Sequence, residues 1–222
     1  MTWRRSTNCN WKRRRDLKKR NPQTLNVSTL TGILDYVRNN PDGYISEDCR
    51  AIIQIYDADK VELYCQMDED NVRPHLLCAQ AITADISFGR KMDIEQFMIM
   101  LQSQFADTED KAKLLRIIGN MTDEASQNIK DDGMKQSVVV KKGAATLDEE
   151  SVPNPAKLAP FRTFIEVEQP RSYYLCRVFE GLQVALYEAN GGEWRNQAIA
   201  KIKTWFEENL AEEEKALIYI LA

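Results

Sequence analysis

Histidine is nearly absent from this chain, and several other residues that commonly carry chemistry are sparse. The 222 residues include one His, nine Gly, seven Pro and five Cys. The single His and five cysteines at 9, 49, 65, 78 and 176, with no CxxC pair, give no zinc-finger or zinc-ribbon spacing. No GxxxxGK[ST], GxGxxG or GxSxG run occurs, so phosphate loops, dinucleotide folds and the hydrolase elbow have no support. No stretch approaches the roughly 18 uncharged apolar residues of a membrane-spanning helix. The start lacks the apolar run of a secretory signal. The composition is that of a soluble globular chain, long enough to bury a core.

Charge is present in quantity and unevenly placed. The chain carries 30 Lys+Arg against 34 Asp+Glu, a formal −4. Residues 1–20 hold Arg4, Arg5, Lys12, Arg13, Arg14, Arg15, Lys18, Lys19 and Arg20 against one acid, Asp16, for +8. The remainder holds 21 basic and 33 acidic groups, −12. A block this basic has no apolar face to bury and repels itself, so residues 1–21 are expected to be a mobile tail. Phosphate contacts need no fold, and Trp3 and Trp11 are placed to stack on unpaired bases. Those nine basic residues are therefore the candidate nucleic-acid contacts; a passive solubilising extension is the alternative.

Periodicity organises the rest. Leu30, Ile33, Leu34 and Val37 recur at helical spacing, with Ser28 as the expected N-cap and the run from Asn39 to Gly43 as the stop. Residues 50–56 and 60–67 read as a hairpin across Asp57-Ala58-Asp59, and 74–83 as a third strand. Asp93 with Gln96 starts a helix bearing Ile94, Phe97, Met98, Leu101 and Phe105. Thr108 caps a second helix, with Ala112, Leu115 and Ile118 on one side and Leu114 and Ile117 beside them. Residues 135–142 are a strand candidate. Three prolines in 152–160 predict an extended polyproline-like connector over the surface. Residues 161–168, 172–179 and 182–189 predict an antiparallel meander, 194–210 a helix, and 216–221 a short buried strand. The fold class is α+β, antiparallel sheet with packed helices. Its domains are the tail, an α+β half over 22–150, and a second half over 151–222 packed on the first.

Chemistry is hard to place on this frame. His75 opens a strand with no visible partner, and Cys65, Cys78 and Cys176 read as small buried hydrophobes. Glu166, Glu168 and Glu188 fall on predicted neighbouring strands and are the candidate cation cluster of a metal-dependent nuclease, although Glu168 stands where an ExK strand needs Lys. The solvated face of an antiparallel sheet is the favoured explanation of these residues. No catalytic residue, metal ligand or cofactor is assigned. The apolar terminal segment behind Glu212-Glu213-Glu214 must pair within its sheet or across a subunit boundary, so a homo-oligomer is expected.

Four segments carry a resemblance: PQTLNVSTLTGILDYV (22–37), FGRKMDIEQFMIMLQSQFADTEDK (88–111), VPNPAKLAPFRTFIEVEQP (152–170) and LYEANGGEWRNQAI (186–199). Together they resemble the YfdQ-like proteins, a domain family of unknown function encoded by tailed phages and prophages. The similarity runs from about Pro22 onward and does not include the Arg-rich start. It implies an accessory protein in the cytoplasm of a bacterial host and no established reaction. The resulting expectation is a non-enzymatic phage protein that binds nucleic acid in replication or recombination, or a host protein during takeover. A metal-dependent nuclease and a structural or internal virion component are the alternatives.

Overall fold

The computed structural model describes residues 22–68, 71–121, 130–131, 136–142 and 146–222. It is an α+β protein with two five-stranded sheets and one three-stranded sheet. The basic tail lies outside the described residues.

The first sheet has the order β1-β4-β3-β2-β13, formed by Leu25–Val27 (β1), Ala51–Asp57 (β2), Lys60–Cys65 (β3), His75–Gln80 (β4) and Ile218–Leu221 (β13). Its centre is the antiparallel hairpin read from the sequence, but both edge pairs, β1 with β4 and β13 with β2, are parallel. Helix α1 (Leu30–Asn39) buries Leu30, Ile33, Leu34 and Val37 against this sheet, together with Tyr36. Its cap is Thr29 rather than Ser28: the Thr29 hydroxyl accepts from Gly32 N at 3.2 Å. A Cβ on Gly32 would stand 3.0–3.2 Å from the Val27 side chain, so glycine is what lets the helix close on the end of β1.

The second sheet has the order β5-β12-β11-β10-β6. Its strands are Met92–Asp93 (β5), Phe105–Ala106 (β6), Ala156–Pro160 (β10), Ser172–Phe179 (β11) and Gln183–Glu188 (β12). Helix α2 (Ile94–Gln104) joins β5 on one edge to β6 on the other, so it crosses the sheet. Asp93 and Thr108 cap α2 and α3 (Glu109–Gly119) as read, accepting from Gln96 N at 2.8 Å and Lys111 N at 3.1 Å. The buried side of α3 is Leu114, Ile117 and Ile118; Ala112 is exposed. Phe97, Leu101 and these residues cover the inward side chains Tyr174, Cys176, Val178, Val184 and Leu186. A third sheet, Lys130–Asp131 (β7), Gln136–Lys142 (β8) and Thr146–Ser151 (β9), adds Val138 and Val140 to that core.

Two expectations fail here for related reasons. The proline-rich segment is not a surface connector: β10 is a buried inner strand, paired with β11 through Ala156–Leu158 and with β6 through Ala159 and Pro160. Pro155 stands before the strand and Pro160 ends it, so neither removes a ladder donor from its middle. Residues 161–168 are not a strand but a turn-containing loop that buries residues 162–164 and Val167 and exposes Ile165 and Glu168. Gln169 takes over the bonding a ladder would supply. Its Oε1 accepts from Arg162 N at 3.0 Å and Thr163 N at 3.2 Å, and its Nε2 donates to Phe164 O at 3.1 Å.

This loop sends Phe164 and Val167 into the first core, which also takes Ile202, Phe206 and Leu210 from and just after helix α4 (Trp194–Asn209). Each five-stranded sheet therefore draws on chain from both sides of residue 150: β13 joins the first sheet, and β5 and β6 join the second. A short helix, α5 (Glu212–Lys215), leads into β13, which is an edge strand with Ile218 buried and Tyr219 and Leu221 exposed, not a buried one.

Candidate functional site

The residues singled out in the sequence do not assemble into a catalytic centre. The nine basic tail residues lie outside the described residues. Glu166, Glu168 and Glu188 are not neighbours on adjacent strands, because two of them sit in the loop and each is already engaged. Glu166 Oε1 accepts from Thr31 N at 3.2 Å, in the first turn of α1. Glu168 pairs with Lys201 at 2.8 Å and Arg171 at 3.6 Å, and Glu188 pairs with Arg162. Lys201, first, and then Arg171 hold the Glu168 carboxyl below the usual carboxylate range. Among the described residues no group of three or more His, Cys, Asp or Glu is arranged to hold a metal ion.

His75 stacks on Tyr64 with ring centroids 4.5 Å apart, and its Nε2 lies 3.9 Å from Glu62 Oε1. Burial works to raise the Glu62 carboxyl, but hydrogen bonds from Lys60 and Tyr64 outweigh it and leave it low. Cys65 and Cys176 are buried as read, and burial pushes the Cys176 thiol up to about 12; Cys78 is half-buried.

What the tertiary structure does bring together is on the outward face of β10, β11 and β12. Along β11 the side chains alternate, with Ser172, Tyr174, Cys176 and Val178 inward and Tyr173, Leu175, Arg177 and Phe179 outward. Register places Lys157 beside Tyr173, Leu175 beside Tyr187, and Arg177 beside Ala185. Tyr173, Leu175 and Tyr187 are 48%, 37% and 36% exposed, although each is large and apolar. Cations flank them: Lys157 Nζ lies 5.8 Å from the Tyr173 ring centre, and Lys91 Nζ lies 3.9 Å from that of Phe179. Gly89, at φ +75°, runs against the Tyr187 ring, where a Cβ would come within 3.5 Å.

At one end this face opens into a cleft of about 470 Å³ lined by Lys157, Tyr173, Glu168, Arg171, Glu193 and Lys201. Its walls are the meander, the loop and the first turns of α4. Arg162, nine-tenths buried, ties the three together. Its guanidinium lies 3.8 Å from the Trp194 ring centre, pairs with Glu188 at the end of β12, and donates to Ser172 Oγ at the start of β11. Burial lowers its pKa, and Tyr174 and Glu188 oppose that shift.

Tyr173, Tyr187, Lys157, Arg171 and Lys201 carry no motif that marks them in the sequence. One signal was available: the run SYYLCRVF has apolar side chains at both parities, whereas a strand with one solvated face alternates apolar with polar. No family model matches the chain, and no curated protein or solved structure matches it either.

Proposed function

We propose that this protein binds single-stranded nucleic acid along the outward face of β10–β12, as a non-catalytic accessory factor. The observation that carries the reading is the exposed Tyr173–Leu175–Tyr187 surface bordered by Lys157, Arg171, Arg177 and Lys91, on a body whose overall charge is acidic. Aromatic rings accept any base by stacking, and neighbouring cations follow the phosphates. A passive sheet face would carry polar side chains at these positions. The resemblance to the YfdQ-like proteins supports placing such a factor in a phage or prophage, acting in replication or recombination in the bacterial cytoplasm. The nine basic residues of the tail would add sequence-independent phosphate contacts.

The test is anisotropy of a labelled oligothymidine titrated with full-length protein, Tyr173→Ala and Tyr187→Ala. Each substitution is expected to cost about 1–3 kcal/mol, or roughly 5- to 150-fold in affinity. Equal affinity of all three proteins would remove the face from the interaction. Absence of binding, with a host protein retained by the intact face and lost from the variants, would replace nucleic acid by protein as the partner.

A further inference from the structure

Beside the aromatic face, the cleft between Tyr173, the 161–171 loop and α4 has the makings of a more specific site. Three cations converge on it: Lys157, Arg171 and Lys201. Two of them meet on one carboxylate. Lys201 Nζ donates to Glu168 Oε2 at 2.8 Å, while Arg171 Nη2 lies 3.6 Å from Glu168 Oε1. Each oxygen of the carboxylate thus has its own cation, the arrangement in which two oxygens of a phosphate group are also held.

From this geometry we infer that the cleft is a binding site for a phosphorylated nucleotide, and that Glu168 is a built-in competitor occupying the phosphate position. The inference rests on the nucleic-acid reading of the adjoining face and adds a ligand class and a regulating residue to it. Glu168 is suited to leaving. Its side chain is 65% exposed, so the pairs it makes are solvent-screened and each is worth about 0–1 kcal/mol. Lys201 keeps its place when the carboxylate swings out, because its Nζ also donates to the Glu168 backbone carbonyl at 3.2 Å.

The remaining walls fit a nucleoside. The Tyr173 ring, 48% exposed, forms one side and offers a stacking surface at the cleft mouth. A volume of about 470 Å³ lies in the range of roughly 300–1,000 Å³ typical of small-molecule sites. Glu193 also lines the cleft and opposes an anion. With Glu168 seated the lining cations and carboxylates stand at three to two, and with Glu168 displaced at three to one.

The experiment is calorimetric titration of the full chain with thymidine 5′-monophosphate, with thymidine and with inorganic phosphate, on wild type, Glu168→Gln and Lys201→Met. The monophosphate is expected to bind wild type and to bind Glu168→Gln about three- to tenfold tighter, since two competing pairs, each worth up to about 1 kcal/mol, are removed. Lys201→Met is expected to weaken it by a similar factor, and thymidine to gain nothing from Glu168→Gln. Tightening by inorganic phosphate alone, with no advantage for the nucleotide, would overturn the nucleoside part. An unchanged monophosphate affinity in Glu168→Gln would overturn the inference as a whole. Oligothymidine binding that depends on Tyr187 but ignores Glu168 would leave the proposed function standing without this site. A monophosphate response with no oligothymidine binding would do the reverse.

Discussion

Replacing Arg162 with methionine keeps the apolar stem and removes a guanidinium that three elements share. Ser172, 2% exposed, is left with its hydroxyl unmatched, which costs about 1–3 kcal/mol. The stacking of the cation on Trp194 at 3.8 Å is lost, about 1–2 kcal/mol for a desolvated pair. Glu188 is 39% exposed and turns to water, so its pair contributes only about 1 kcal/mol. Relief of the buried cation's desolvation opposes all three, and burial is the first cause of the lowered Arg162 pKa. The net expectation is a loss of about 2–3 kcal/mol. Urea unfolding followed by tryptophan fluorescence measures it, with the midpoint falling and the slope unchanged. A cycle with Glu188→Gln should return a coupling of about 1 kcal/mol. An Arg162→Met protein within about 0.5 kcal/mol of wild type would show that the guanidinium is not what joins loop, meander and helix.

Other outcomes follow from the same structure. Deleting residues 1–20 is expected to lower oligothymidine affinity without changing base preference. With roughly five of the nine tail cations engaged, the slope of log K against log salt should be steeper for the full chain than for the truncated one by about 3.5, the cations of the sheet face giving the slope that is left. Equal slopes would make the tail a passive extension. Glu62 has a folded pKa below its ordinary value, so its stabilisation is present above that ordinary value and fades as pH falls through the folded one. Glu62→Gln should therefore be less stable than wild type at pH 7 by about 1 kcal/mol, with the gap closing in acid; a pH-independent gap would contradict the pairing. The edge strand β13 presents Tyr219 and Leu221, 44% and 52% exposed, and a dimer is expected by sedimentation at micromolar concentration; a monomer would count against that use of the edge.

Features whose causes lie within a few residues were legible in the sequence. Asp93 and Thr108 cap their helices because the accepting oxygen and donating N–H are three positions apart. The hairpin of β2 and β3 and the meander of β11 and β12 close through short turns between β-rich runs. Helix α4 shows its buried face, Trp194, Ala198, Ile202 and Phe206, in its period. Local pattern misled where distant chain supplied the missing partners. Prolines 155 and 160 looked incompatible with an inner strand until β6, some fifty residues earlier, took the far end of β10. Residues 161–168 have a strand's composition, yet the Gln169 amide bonds their backbone and the first core takes Phe164 and Val167 while Ile165 faces outward. The parallel edges and the cleft have the same origin. Lys157, Arg171 and Lys201 are unremarkable surface cations one by one; Arg171 is three residues from Glu168, but only the packing of loop and helix beside the meander seats Lys201 on the same carboxylate and brings Lys157 to the same cleft, because charge proximity depends on distance in space and not along the chain.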